Sequence, residues 1–395
     1  MPVPSRAASA APSLRTLSAL ALVTLVASCG SSTDEPLAPS TPSSAAPSDA
    51  AGASALALVQ PEVFATGLKF PRGFTWGPDG ALYVAEAGTG GPKTTTPEQC
   101  EQVAPPVGPY SNGSNARISK IDHEGHRTTF AGGFPSAADQ IDGTLGLADV
   151  AFIGDRLYAL LTGAGCSHGI RRFPNGIARV ESNGEWSIVA NLSAYTRAHP
   201  VANPGPDFEP DGSYFSMLAL NDRLFAVDAN HGEVVRINPA TGRICRVVDV
   251  SASQGHIVPT ALADRNGVIF LGNLGTFPID PHSEKILRVG RDGALSVEAR
   301  FFTTVLGLDF DAEGRMYVLE SSKAAGFPAP DEGRVVRLNR DGTRDIIVNK
   351  LDFPTSMRFG PDGRLYISNH GYGPGGLGEI LRVEVPGPGG AVATR

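Results

Sequence analysis

The segment Phe70-Pro-Arg-Gly-Phe-Thr-Trp-Gly-Pro-Asp-Gly-Ala-Leu-Tyr-Val-Ala-Glu86 returns near the other end of the chain as Phe353-Pro-Thr-Ser-Met-Arg-Phe-Gly-Pro-Asp-Gly-Arg-Leu-Tyr-Ile-Ser-Asn369. Each copy reads as strand, tight turn, strand. In the shared Gly-Pro-Asp-Gly, proline presets φ, aspartate hydrogen-bonds local backbone and the last glycine accepts positive φ. The Leu-Tyr-Val and Leu-Tyr-Ile runs that follow favour extended backbone. A hairpin that recurs this closely across so long a chain predicts a repeat architecture.

The repeat has a countable register. Pairing the aromatic that opens each second strand with the residue three further on gives Tyr83 with Glu86, Tyr158 with Leu161, Phe225 with Asp228, Phe270 with Asn273, Tyr317 with Glu320, and Tyr366 with Asn369. The last four units are spaced at 45, 47 and 49 residues, and the earlier gaps of 75 and 67 each contain an insertion. A third strand follows in every unit, from Ala116, Gly176, Glu233, Lys285, Arg334 and Glu379. A fourth follows in all but the last, where the chain runs into Pro-Gly-Pro-Gly-Gly. The segment Glu62 to Leu68 resembles a fourth strand and precedes the first hairpin. The chain is therefore predicted to be all-β: a six-bladed β-propeller of four-stranded blades, closed by that N-terminal strand in the last blade. Closure removes the open edge, and Val63, Phe64 and Leu68 are expected to cover apolar surface there. Gly 47 and Pro 32 suit many turns. A short helix is expected at Leu192 to Ala198.

The first residues read differently. Arg6 and Arg15 precede a short apolar run, Leu17 to Ala27, ending Leu25-Val-Ala-Ser-Cys29. This pattern is an export signal. It is similar to the lipobox of bacterial lipoproteins, in which Cys29 would carry the lipid, with an ordinary signal peptide as the alternative. The expected organisation is a signal over 1–29, a Ser/Pro/Ala-rich tether over 30–58 too poor in large apolar residues to form a core, the propeller over 59–386 and a tail over 387–395. Export to the cell envelope, periplasmic or extracellular, with a lipid anchor as the only membrane attachment, is expected, and a monomer. The formal net charge of -7 argues against nucleic acid as a partner.

The repeat resembles those of NHL and SMP-30/gluconolactonase-like propellers, and more closely the ScyD/ScyE family of exported bacterial proteins. The supporting segments are Pro71-Arg-Gly with Gly77 to Gly88, Leu271-Gly-Asn-Leu-Gly-Thr-Phe-Pro278, Leu308-Asp-Phe with Tyr317 to Glu320, and Gly360 to Asn369. The resemblance spans about Pro61 to Val385. It implies a propeller whose inserted loops, Ala87 to Asn115, Thr162 to Asn175, Ala194 to Tyr214 and Ser321 to Glu332, gather on one face. That loop-rich face is where a small molecule or protein partner is expected.

Several residue sets are candidates there. Glu86, Asp228, Asn273, Glu320 and Asn369 end second strands and offer oxygen donors of the kind that suits Ca2+. They equally suit strand termini bonded to nearby backbone. Arg72, His168, His231 and His370 are further polar candidates on the loop face, whereas His123 and His126 fall in a tight turn opposite. Cys100 and Cys166 lie in loops of neighbouring blades, as a disulfide or as two surface thiols, with Cys245 a structural thiol. Lactonases of the SMP-30 type hold a metal with acids and amides just before the glycine of several first strands. Here those positions read Arg72, Ala148, Phe215, Pro259, Leu306 and Thr355, so the ligand set is missing. The leading expectation is a ligand- or partner-binding propeller. The alternative is an enzyme of small exported metabolites on the same face, lactonase-like or a quinone-dependent dehydrogenase.

Overall fold

A computed structural model describes residues 58–373 and 375–386. The expected signal, the tail and all of the tether but Leu58 lie outside the described residues, as does Cys29. Six sheets follow one another, one per repeat. Blade 1 holds Pro71–Trp76, Leu82–Glu86, Ser111–Ile121 and Arg127–Ala138, with a short fifth strand, Thr144–Leu145, on its outer edge. Blade 2 runs from Leu147–Ile153 to Trp186–Asn191, blade 3 from Tyr214–Leu220 to Arg243–Asp249 and blade 4 from Pro259–Arg265 to Leu295–Phe302. Blade 5 runs from Val305–Phe310 to Arg344–Leu351. Blade 6 takes Ser356–Phe359, Leu365–Asn369 and Gly378–Val383 from the end of the chain and Glu62–Leu68 from its beginning. The fold is the six-bladed β-propeller that the repeat predicts.

The two copies of the hairpin form the same local structure because the same side chains meet. Gly80 and Gly363 both take φ +77°, and each donates its N–H to the glycine that opens its turn, Gly77 and Gly360, at 2.9 Å. Asp79 and Asp362 accept the Tyr83 and Tyr366 hydroxyls at 3.0 Å. A Cβ at Gly77 would lie 2.5 Å from the Tyr83 ring, so the first glycine makes room and the last supplies the conformation.

Ring closure pairs Glu62 with Arg382, Ala65 with Ile380 and Leu68 with Gly378. Ala65 and Leu68 are buried with Phe74, Leu82 and Tyr366, joining blade 6 to blade 1. Tyr366 meets Phe64 and Trp76 edge to face at 5.4 and 5.1 Å. Val63 departs from expectation: at 51% exposed it faces solvent, because the strand bulges between Val63 and Ala65 and the inward alternation restarts at Ala65.

The expected helix forms over Leu192–Ala198, capped by Asn191, whose side chain accepts the Ala194 N–H at 2.9 Å. No helix among the described residues is long and apolar enough to cross a membrane. Cys100 and Cys166 form a disulfide with Cα atoms 6.2 Å apart, tying the blade 1 insertion to that of blade 2. The free thiol expected at Cys245 is not found, since no described cysteine is free.

Candidate functional site

The five polar residues that end second strands are each engaged within their own blade. Glu86 accepts Lys69 N–H at 2.6 Å, Arg117 Nε at 2.8 Å and the Ser119 hydroxyl. Glu320 accepts Thr303 N–H at 2.6 Å and pairs with Arg334. Asn369 accepts Asp352 N–H at 3.0 Å and donates to Glu379 at 2.9 Å. Asn273 donates to the Ile257 carbonyl at 3.1 Å and to Glu284, and accepts Lys285 N–H at 3.2 Å. Asp228 Oδ1 takes the N–H groups of Ser213, Asn230 and His231, each at 3.1 Å. In each case the side chain ties the loop entering the first strand to the head of the sheet. None of the five is hydrogen-bonded to another of the set. Among the described residues, the His and carboxylate group close enough to share an ion is Asp122, Glu124 and His126, in the turn on the opposite face.

The axial mouth of the loop face is formed by first strands. Arg72, Ala148, Phe215, Leu306 and Thr355 surround a hollow of about 10 Å3, and Pro259 is not part of its lining. The carboxylate there, Asp149, is fully engaged: Oδ1 accepts Val150 N–H at 2.8 Å, and Oδ2 accepts Met217 N–H at 2.9 Å and pairs with Arg358 at 3.2 Å. The donor set does not fit a divalent ion, and a hollow of one water's size admits no ring-sized cofactor. Arg72 donates to the Gly371 and Thr144 carbonyls at 2.6 and 2.8 Å.

The large concavity lies off the axis, between the loops of blades 1, 2 and 3. It is a cleft of about 680 Å3 lined by Gln99, Glu101, Arg171, Phe173, Arg197 and Phe208, with the Cys100–Cys166 disulfide in its wall and Asp211 beneath. The volume is that of an ordinary small-molecule pocket. Phe208 stacks one face on the His231 imidazole at 4.8 Å. Asp211 accepts Ser167 N–H and hydroxyl at 2.8 and 2.7 Å and pairs with Arg197. Burial would raise the Asp211 carboxyl, but the charges of His168 and Arg197 and the Ser167 bonds outweigh it and hold it below the usual range.

Behind the cleft, three insertions meet in a buried polar knot. His168 Nε2 contacts Glu209 Oε2 at 2.9 Å and Nδ1 contacts the Ala164 carbonyl at 2.7 Å. Tyr110 donates to Glu209 Oε1 at 3.3 Å and packs edge to face on His168. Burial pulls the His168 pKa down, yet the bond and charge of Glu209 and the charge of Asp211 raise it overall. Burial, reinforced by Glu209, pushes Tyr110 well up. His231 is buried, with Nε2 at 2.9 Å from the Glu209 carbonyl, and so belongs to the same corner. His370 sits apart in blade 6, between Asp352 at 3.2 Å and Glu379 at 3.6 Å. Tyr110, Arg197, Glu209 and Asp211 escape sequence reasoning. Their one signal is position in the long insertions, since their convergence depends on how three loops fold over one another.

No family model matches the chain, and no curated protein does. Solved structures do. A gluconolactonase of Xanthomonas campestris aligns with a TM-score of 0.51 at 13% identity, over 89% of this chain and 99% of its own. The PQQ-bound aldose sugar dehydrogenase of Streptomyces coelicolor aligns with a TM-score of 0.50 at 16% identity, over 82% and 96%. A glucose dehydrogenase gives 0.50 at 13%, over 82% and 99%. At these identities the likeness is one of fold.

Proposed function

We propose that this chain takes a small hydroxylated molecule, of sugar or sugar-acid type, into the loop-face cleft between blades 1 and 3. The observation that carries the reading is the lining of that cleft. Aromatic Phe208 and Phe173 stand beside the planar polar groups of Gln99, Glu101, Arg171 and Arg197 in about 680 Å3. A sugar ring has apolar C–H faces and a rim of hydroxyls. It is recognised by an apolar platform flanked by fixed donors and acceptors. The His168–Glu209–Tyr110 knot would hold the platform and Asp211 in place, reducing the ordering cost of binding.

A second reading, turnover of such a molecule, is favoured by one finding: propellers of this fold include a gluconolactonase and an aldose sugar dehydrogenase. The axial mouth fits neither a metal nor a quinone, so no reaction step is drawn through either. In both readings the chain works at the cell envelope, exported as its first residues suggest. Isothermal titration with a panel of aldoses, aldonic acids and aldonolactones tests the function. Saturable binding that weakens about tenfold or more in Phe208→Ala and Arg197→Gln is expected. Binding that these variants leave unchanged, or none across the panel, refutes it. Appearance of oxidised or ring-opened product in the same mixtures would favour turnover.

A further inference from the structure

We propose that Arg72 is the receptor for the carboxylate group of a small organic acid at the mouth of the axial channel. The site is distinct from the cleft and does not rest on the reading above. Arg72 belongs to the first strand of blade 1 and is part-buried. Its two terminal nitrogens donate to carbonyls from different parts of the ring. Gly371 follows the second strand of blade 6, and Thr144 lies on the way from blade 1 to blade 2. Those bonds fix the plane of the guanidinium without neutralising it.

Among the described residues Arg72 has no ion pair. The acid that acts on it, Asp139, does so at a distance while holding Ile141 and Gly143 N–H groups at 2.9 and 2.7 Å. Withdrawing a cation even partly from water without a counter-charge is costly, and an anion beside it recovers part of that cost. Burial accordingly lowers the Arg72 pKa to about 10, against the pull of Asp139.

The surroundings select the anion. Ala148, Phe215 and Leu306 form the apolar part of the walls, beside Asp149, Ser216, Thr355 and Ser356. The Thr355 hydroxyl is engaged with the Pro71 carbonyl at 2.7 Å. Asp149, which also borders the hollow, is balanced by Arg358. Of the two charged groups that line the hollow, Arg72 is therefore the one without an ion-pair partner among the described residues. A hollow of about 10 Å3 accepts a single oxygen-sized atom, so the ligand presents one oxygen inward and keeps its bulk outside. A carboxylate does this, with one oxygen accepting a charge-assisted hydrogen bond from the guanidinium.

The test uses the full chain. Its melting midpoint is followed against sodium acetate, sodium gluconate and sodium phosphate at constant ionic strength, in wild type and in Arg72→Gln. The substitution keeps an amide donor for the carbonyls and removes the charge. Crystals of the wild type are soaked in sodium bromide and the ion located by anomalous scattering. A saturable rise with acetate and gluconate, at least about tenfold weaker in Arg72→Gln, with bromide at ion-pair distance from Arg72, is expected. An equal response in both proteins, saturation by phosphate alone, or no bromide at Arg72 overturns the proposal. If Arg72→Gln does not fold, the bromide position and the wild-type curves decide.

Discussion

Removing the charge of Glu233 should flatten part of this protein's pH dependence. Glu233 heads the third strand of blade 3, fully buried, directly opposite Asp228 in the strand register. Its Oε2 accepts Arg246 Nε at 2.6 Å, whereas its Oε1 and Asp228 Oδ2 have no partner. Burial first, and the charge of Asp228 second, outweigh Arg246 and raise the Glu233 pKa from 4.5 to about 7. The folded protein thus keeps a proton that the unfolded chain releases between those values. Stability must fall as pH rises through that window, by about 1.4 kcal/mol per unit, and level off on either side. The whole effect is about 3 kcal/mol, of which solvent access at Arg246 would take a share. Glu233→Gln imitates the protonated form and should lack the decline. Urea unfolding of both proteins from about pH 4.5 to about pH 8 measures it. The variant should match wild type at the acid end and exceed it by about 2–3 kcal/mol at the alkaline end. Parallel curves would falsify the reasoning, because they would mean that Glu233 titrates alike in both states.

Two further outcomes follow from the fold. A chain truncated to begin at Lys69 loses the strand that closes the ring. It should melt far lower or aggregate, because burial of Leu68, Ala65 and part of Phe64 supplies about 3–5 kcal/mol before hydrogen bonds. Equal melting of the truncated and full chains would show that the ring closes otherwise. Glu320→Ala leaves Arg334 and the Thr303 N–H unpaired and should cost about 3 kcal/mol or more. Calorimetry checks this, and a stability loss under about 1 kcal/mol would return Glu320 to the functional candidates.

The sequence by itself determined the ring. Strand, turn and alternation are local properties, and Gly77-Pro-Asp-Gly with its tyrosine writes the same hairpin wherever it stands. The second strands end at Glu86, Leu161, Asp228, Asn273, Glu320 and Asn369, as the register count required. Even the closing strand, Glu62–Leu68, was legible from the fourth strand missing at the far end. What the acids of those strands do was not legible. A carboxylate that binds an ion and one that ties Lys69 to Arg117 look alike in a sequence, and only the position of neighbouring amides separates them. The bulge that turned Val63 outward was hidden for a related reason, since one extra residue reverses the alternation without changing composition. The cleft and the mouth were decided wholly by tertiary structure. Tyr110, His168 and Glu209 come from three insertions, and Arg72 meets Gly371 across nearly the whole chain. Such contacts arise because the ring closes, bringing together groups that no local pattern relates.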